Sequence, residues 1–292
     1  MLVCLSCSRQ AYVFTSFREP ANAGLRLLTS YDGYNWKDLD TVLLKPSVGT
    51  QQVMRDPSMV QSPDGTFHLV WTSSWRGDKG LGYASSKDLL HWDQQRWIPV
   101  MEKEPAVNVW APELFYDKDK KQYLVVWASC IPGRFDKGEE DDSNNHRLYY
   151  TTTSDFQHFP PAKLFLDPGF SVIDGTIVQR AANDYVLVLK DNTRAARYLE
   201  VAFSNSAAGP WKNISTPFTE KFTEGPSVVK VKNKWLIYFD AYQQKTYEAV
   251  ATTDFINFVP AKVHLPEGHK HGTIVPVSRK FVKDLEKQLA KK

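Results

Sequence analysis

Five ionisable residues open five short, similar segments of this sequence: Asp56-Pro-Ser-Met-Val, Glu113-Leu-Phe-Tyr, Asp174-Gly-Thr-Ile-Val, Glu224-Gly-Pro-Ser-Val-Val and His271-Gly-Thr-Ile-Val. They follow one another at intervals of 57, 61, 50 and 47 residues. One acid at the start of a strand needs no more explanation than a backbone hydrogen bond. Four at the same phase of a repeat are a different matter. Carboxylates brought to one place resist ionising together, so their pKa values spread, and such spreading separates a general acid from a general base. Aromatic residues frame the same positions: Trp71 and Trp75 after Asp56, Trp110 before Glu113, Phe170 before Asp174, and Tyr242 after Glu224. Flat rings beside acids suit a sugar, whose apolar face stacks while its hydroxyls bond to polar neighbours. Trp75, Trp110, Phe170 and Tyr242 are therefore assigned to a pocket, and Trp71 to packing.

The elements that position these residues repeat as well. About ten residues after each of the first four openings comes a strongly apolar strand: 67–72, 123–128, 185–189 and 235–239. Turn-forming links such as Ser62-Pro-Asp-Gly join the pairs. A third strand follows at 81–85, 148–152, 199–203 and 247–251, and then an Asp with an aromatic four residues on: Asp88/Trp92, Asp155/Phe159 and Asp254/Phe258, with Asn205 and Trp211 a looser version. The fifth opening, at His271, lacks these followers, but they stand at the other end of the chain, as 11–17, 25–29 and Asp32/Trp36. The sequence thus predicts an all-β, five-bladed β-propeller over 11–278, its ring closed by the C-terminal strand joining the N-terminal blade. Innermost strands converge on the propeller axis, which brings the five ionisable residues to one funnel.

Composition narrows the function classes. Of 292 residues, 42% are hydrophobic and 24% charged, which excludes a disordered chain, and no apolar run reaches the roughly 18 residues of a membrane span. The net charge of +3 is local. Residues 279–292 hold six Lys or Arg against Asp284 and Glu286, so the body is near neutral and carries no nucleic-acid footprint. Phe281, Leu285 and Leu289 recur there at helical spacing, which predicts a short C-terminal amphipathic helix. Three cysteines make no disulfide framework, and Cys130 reads as a buried thiol. Residues 1–10 are expected to be a signal remnant or a disordered N-terminus. Leu5-Ser6-Cys7-Ser8 resembles the end of a bacterial lipoprotein signal, although Cys4 is unusual there. The expectation is a periplasmic or extracellular location with a lipid anchor at Cys7 if the segment is a signal remnant, and a cytoplasmic location is the alternative.

At the five openings the sequence resembles glycoside hydrolase family 43, over Tyr12 to Val277. The matching motifs are Arg55-Asp56-Pro57-Ser58, Trp110-Ala111-Pro112-Glu113, Ile173-Asp174-Gly175, Thr223-Glu224-Gly225-Pro226 and His271-Gly272, in the family's order. The resemblance implies an inverting, exo-acting enzyme that removes arabinofuranosyl or xylosyl units from plant saccharides, with a galactose-releasing member of the same family as an alternative. It implies Asp56 as general base, Glu224 as general acid, Asp174 as the group that holds Glu224 and raises its pKa, and Glu113 as a substrate-binding residue. It requires no cofactor, but it matches His271 to an axial histidine that in several members faces a central calcium. Two features depart from the pattern. A partial blade precedes the first catalytic motif, and the Arg55 context is similar to that of the invertase-type families 32 and 68, whose Asn-Asp-Pro-Asn and Glu-Cys segments are missing here. A catalytically idle, carbohydrate-binding propeller remains the rival reading.

Overall fold

The computed structural model describes residues 10–291, so the candidate lipidation site at Cys7, and Cys4 with it, lie outside the described residues. Five antiparallel sheets stand around one axis. The first joins β1 (Gln10–Ser16), β2 (Arg26–Ser30) and β3 (Lys37–Asp38) to the last strand of the chain, β19 (Ile274–Ser278), in the order β19-β1-β2-β3. Tyr12 lies opposite Pro276 and Phe14 opposite Ile274, which is the ring closure the repeat predicts.

The second sheet runs β4 (Arg55–Gln61), β5 (Phe67–Thr72), β6 (Leu81–Ser86), β7 (Arg96–Ile98). The third runs β8 (Trp110–Asp117), β9 (Gln122–Cys130), β10 (His146–Thr153), β11 (Lys163–Leu166). The fourth holds β12 (Val172–Ala181), β13 (Asp184–Asp191) and β14 (Tyr198–Ser204), and the fifth β15 (Thr223–Val231), β16 (Lys234–Ala241), β17 (Thr246–Thr252) and β18 (Val259–Pro260). The fourth blade has no fourth strand among the described residues. Phe203 and Lys212 exchange two backbone hydrogen bonds at 2.9 Å in its place, where the sequence carries the looser Asn205/Trp211 version of the turn.

The Asp-aromatic turns share one construction. Asp32, Asp88, Asp155 and Asp254 each accept hydrogen bonds from the two N–H groups at positions two and three residues on. A hydroxyl two residues before each Asp, from Ser30, Ser86, Thr153 or Thr252, accepts the N–H of the residue after it. These side chains do the work of backbone acceptors in a tight turn. The aromatic that follows then enters the space between blades: Trp36 packs at 89° to Tyr238, ring centres 6.0 Å apart, and joins the first blade to the fifth.

The chain ends in α1 (Arg279–Leu289), capped by Ser278, whose hydroxyl accepts the N–H of Phe281 at 3.0 Å. Val282 and Leu285 are buried against the first two blades, and Phe281 meets Phe67 with ring centres 5.3 Å apart. Glu286 accepts hydrogen bonds from Thr29 and Tyr31, so the helix is tied down by a polar contact as well.

The closing strand approaches β1 so tightly that Gly272 has no room for a side chain: a Cβ would sit 1.7 Å from the carbonyl oxygen of Thr15. Gly272→Ala should therefore cost about 3 kcal/mol, the upper end of overpacking, and lower the melting temperature by roughly 6–12 °C. A variant melting with the parent would show that the closure has slack.

Candidate active site

Each of four innermost strands begins with a bulge. Register breaks between Arg55 and Ser58, Trp110 and Glu113, Ile173 and Thr176, and Glu224 and Ser227. The first of the two residues inside each break, Asp56, Ala111, Asp174 or Gly225, has a φ of 45–63°. A bulge re-aims side chains at the end of a sheet, and here it turns the strand starts toward a cavity of about 420 Å³ at one end of the axis. Asp56, Asp174, Glu224 and His271 all face this cavity. Gly225 is needed for close approach as well as for its φ, because a Cβ there would come within 2.7 Å of the His271 side chain.

Glu113 is not in the cavity. It lies two residues past its bulge, in phase with Ser58, Thr176 and Ser227, which form a buried polar belt beneath the funnel. Ser58 and Thr273 donate to its carboxylate at 2.7 and 3.1 Å. The expected substrate contact is therefore corrected: Glu113 joins three blades from inside. Phe170 is corrected too. It lines a separate depression with the 136–140 loop and Arg194, not the main cavity.

Trp75, Trp110 and Tyr242 do line the cavity, while Trp71 is fully buried between blades. The two tryptophans meet edge to face at 5.6 Å, and Trp110 Nε1 donates to the carbonyl of Trp75 at 2.7 Å. Trp75 is 46% exposed and carries the Arg55 guanidinium 3.9 Å above its ring centre. The acidic insertion at 132–146 reaches the cavity through Asn144, which exchanges hydrogen bonds with Asn192 on the next blade.

Sequence reasoning missed a second set of polar groups. Thr72, Lys190 and Asp240 pair across their sheets with Arg55, Ile173 and Glu224, at the ends of the second strands. The available signal was a polar residue closing each apolar run. Thr72 donates to Asp56 at 2.9 Å, Lys190 to Glu224 at 2.7 Å, and Lys270 to Asp240 at 2.6 Å.

These contacts divide the acids. Burial opposes the charge on Asp56, but bonds and charge from His271, with Arg55 and Thr72, prevail and hold its carboxyl below the usual range. The Nδ1 of His271 lies 3.4 Å from Asp56. Burial dominates at Asp174 and raises its pKa, against the pull of His271 and Lys190. Its Oδ2 accepts the N–H of Gly225, next to Glu224, at 3.0 Å. At Glu224 burial is overcome by the Lys190 ammonium, and the carboxyl titrates lower than usual, which corrects the expected rise: the nearest charge is a cation, not the Asp174 carboxylate. One site thus holds an ionised carboxylate against an imidazolium, and across from it two carboxyls pushed in opposite directions.

The Nδ1 of His271 is engaged with Asp56, and among the described residues no group of three or more His, Cys, Asp or Glu is placed to hold a metal. Imidazole is in any case a poor ligand for a cation as hard as calcium.

Burial lowers the pKa of His271, but Asp56, Asp174 and Glu113 outweigh it and lift it from 6.5 to about 9. A group raised on folding stabilises the fold fully below its unfolded pKa, and that stabilisation is lost as pH rises through the folded one. Glu113, raised by burial to about 7, adds a slope of the same sign between pH 4.5 and 7. Melting temperature should therefore fall from pH 6.5 to 9, and His271→Gln should flatten that part of the curve. An equally steep fall in the variant would exclude the imidazolium as its source.

A family model described as "Probable glycosyl hydrolase domain", of the family-43-related type, matches residues 8–282. An α-L-arabinofuranosidase of Bifidobacterium longum subsp. longum is 25% identical over 42% of this chain, which spans only 14% of that relative's length. The α-L-arabinanase of Cellvibrio cellulosa, solved with arabinohexaose, superposes with a TM-score of 0.61 at 14% identity, covering 86% of this chain and 91% of that one. A family-43 β-1,3-galactosidase solved with galactodeoxynojirimycin also gives 0.61, at 13% identity over 86% and 90% of the two chains. At such identities the structural likeness concerns the fold alone. The family match spans nearly the whole sequence, and the chain belongs to the glycoside hydrolase 43-related family.

Proposed function

We propose that the protein is an inverting glycoside hydrolase that releases a terminal sugar, of the arabinofuranosidase or xylosidase type, from plant-type saccharides. The observation that carries this reading is that three acids face one aromatic-rimmed cavity, Asp56 against His271 and Asp174 bonded to the N–H beside Glu224. Asp56 would take a proton from the attacking water, while Glu224 would protonate the leaving oxygen. Asp174, through the Gly225 N–H, fixes the segment that presents Glu224. Trp75 and Trp110 rim the cavity and would make the apolar contacts to the sugar.

The test is a panel of nitrophenyl α-L-arabinofuranoside, β-D-xyloside and β-D-galactoside, with the anomer first released read by proton NMR. Turnover with inversion is expected. Retention would remove the base role of Asp56, and binding without turnover of any sugar would favour the idle propeller, a reading supported by the Lys190–Glu224 ion pair. The same reading extends to an extracytoplasmic site of action, reached through lipidation of Cys7.

A further inference from the structure

Five cationic side chains face the main cavity, and four are matched by an acid. Arg55 pairs with Glu19, Lys190 with Glu224, Lys270 with Asp240, and His271 with Asp56. Arg197 has no carboxylate within ion-pair distance among the described residues. Its one side-chain hydrogen bond there is a long one, from Nη1 to the Tyr242 hydroxyl at 3.5 Å, and its Nε is buried with no partner.

The unmatched guanidinium is nevertheless held in place. Arg197 has a φ of 58°, and its carbonyl accepts the N–H groups of Phe222 and Thr223 at 2.7 and 3.1 Å, the two residues leading into Glu224. Tyr242, which it touches, also has the Lys190 ammonium 5.4 Å from its ring centre. A buried, unmet N–H costs folding free energy. Sugar hydroxyls could answer single donors but would leave the charge unpaired. Arg197 lines the cavity, and a planar guanidinium there can meet a carboxylate through two parallel hydrogen bonds, the geometry that distinguishes Arg from a point charge.

We propose that Arg197, beside Tyr242, is a subsite for the carboxylate of an acidic sugar, so that the saccharide bound here carries a uronic acid at or next to the bond cleaved. The placement of the cleaved bond rests on the glycosidase reading above; the carboxylate subsite does not.

The test is binding, followed by quenching of Trp75 and Trp110 fluorescence in the full chain. The probes are D-galacturonate and D-glucuronate, each against its uncharged parent sugar. At least one uronate should bind about tenfold more tightly than its parent, and added NaCl should erode that advantage. Arg197→Gln should bring the pair to parity, while Arg197→Lys, which keeps the charge and the backbone, should retain part of the preference. Equal affinities for both pairs in the parent protein, or a preference that survives Arg197→Gln, would overturn the subsite. Hydrolysis is scored separately. Turnover of neutral arabinosides with no uronate preference defeats this inference alone, whereas uronate preference without any turnover defeats the glycosidase reading alone.

Discussion

Asp56→Asn should lower turnover by about 10³-fold, within the 10²–10⁴ range that a positioned general base contributes. Asn keeps the volume of Asp and an oxygen to accept the Thr72 hydroxyl, now at 2.9 Å, so the bulge and the cavity should survive. What disappears is the ability to take a proton. Because the base acts on water, the loss should be similar for good and poor leaving groups. The same substitution removes the carboxylate that most strongly supports the His271 imidazolium. The pH dependence of melting between 6.5 and 9 should therefore shrink in the variant, a readout independent of activity. Turnover within tenfold of the parent would remove Asp56 from the chemistry, and an unchanged melting profile would show that its pairing with His271 is weak.

The repeat was legible because it is written twice, in the apolar second strands and in the turns that close the third with an Asp and an aromatic four residues on. Both are local signals, and the ring closure follows from them by counting. The phase of the site was not legible. A bulge adds a residue whose presence depends on the partner strand, and each added residue turns the following side chain to another face. Asp56 and Asp174 stand inside their bulges, Glu224 one residue before and Glu113 two residues after. In sequence these four look equivalent, and only three reach the cavity. Lys190 was hidden for the opposite reason: it ends the apolar run of a core strand, and its place opposite Ile173 is set by cross-strand pairing. Phe170 was misassigned because proximity to Asp174 in sequence does not fix which side of a loop faces the axis.

Glu224→Gln carries the other large effect, and its size should depend on the leaving group. A sugar or alkyl alcohol leaves only with a proton, so hydrolysis of a natural linkage should fall by about 10²–10⁴, whereas a dinitrophenyl glycoside, which leaves as a stable anion, should lose far less. A uniform loss across leaving groups would argue that Glu224 binds rather than protonates. Lys190 sharpens the expectation. A general acid works only while protonated, so activity is lost as pH rises through its pKa. By holding Glu224 below its ordinary pKa, the buried ammonium moves that loss toward acid pH. In Lys190→Met the largest lowering influence is gone, and burial with the Asp56 charge raises the Glu224 pKa against the remaining pull of His271. The alkaline limb of the pH–rate profile should then shift upward, while the contribution of Asp56 to the acid limb, set mainly by His271 rather than Lys190, should stay in place. A profile that moves on both limbs would mean the two acids titrate as one coupled unit. A profile that moves on neither would mean that Lys190 leaves Glu224 once a saccharide is bound.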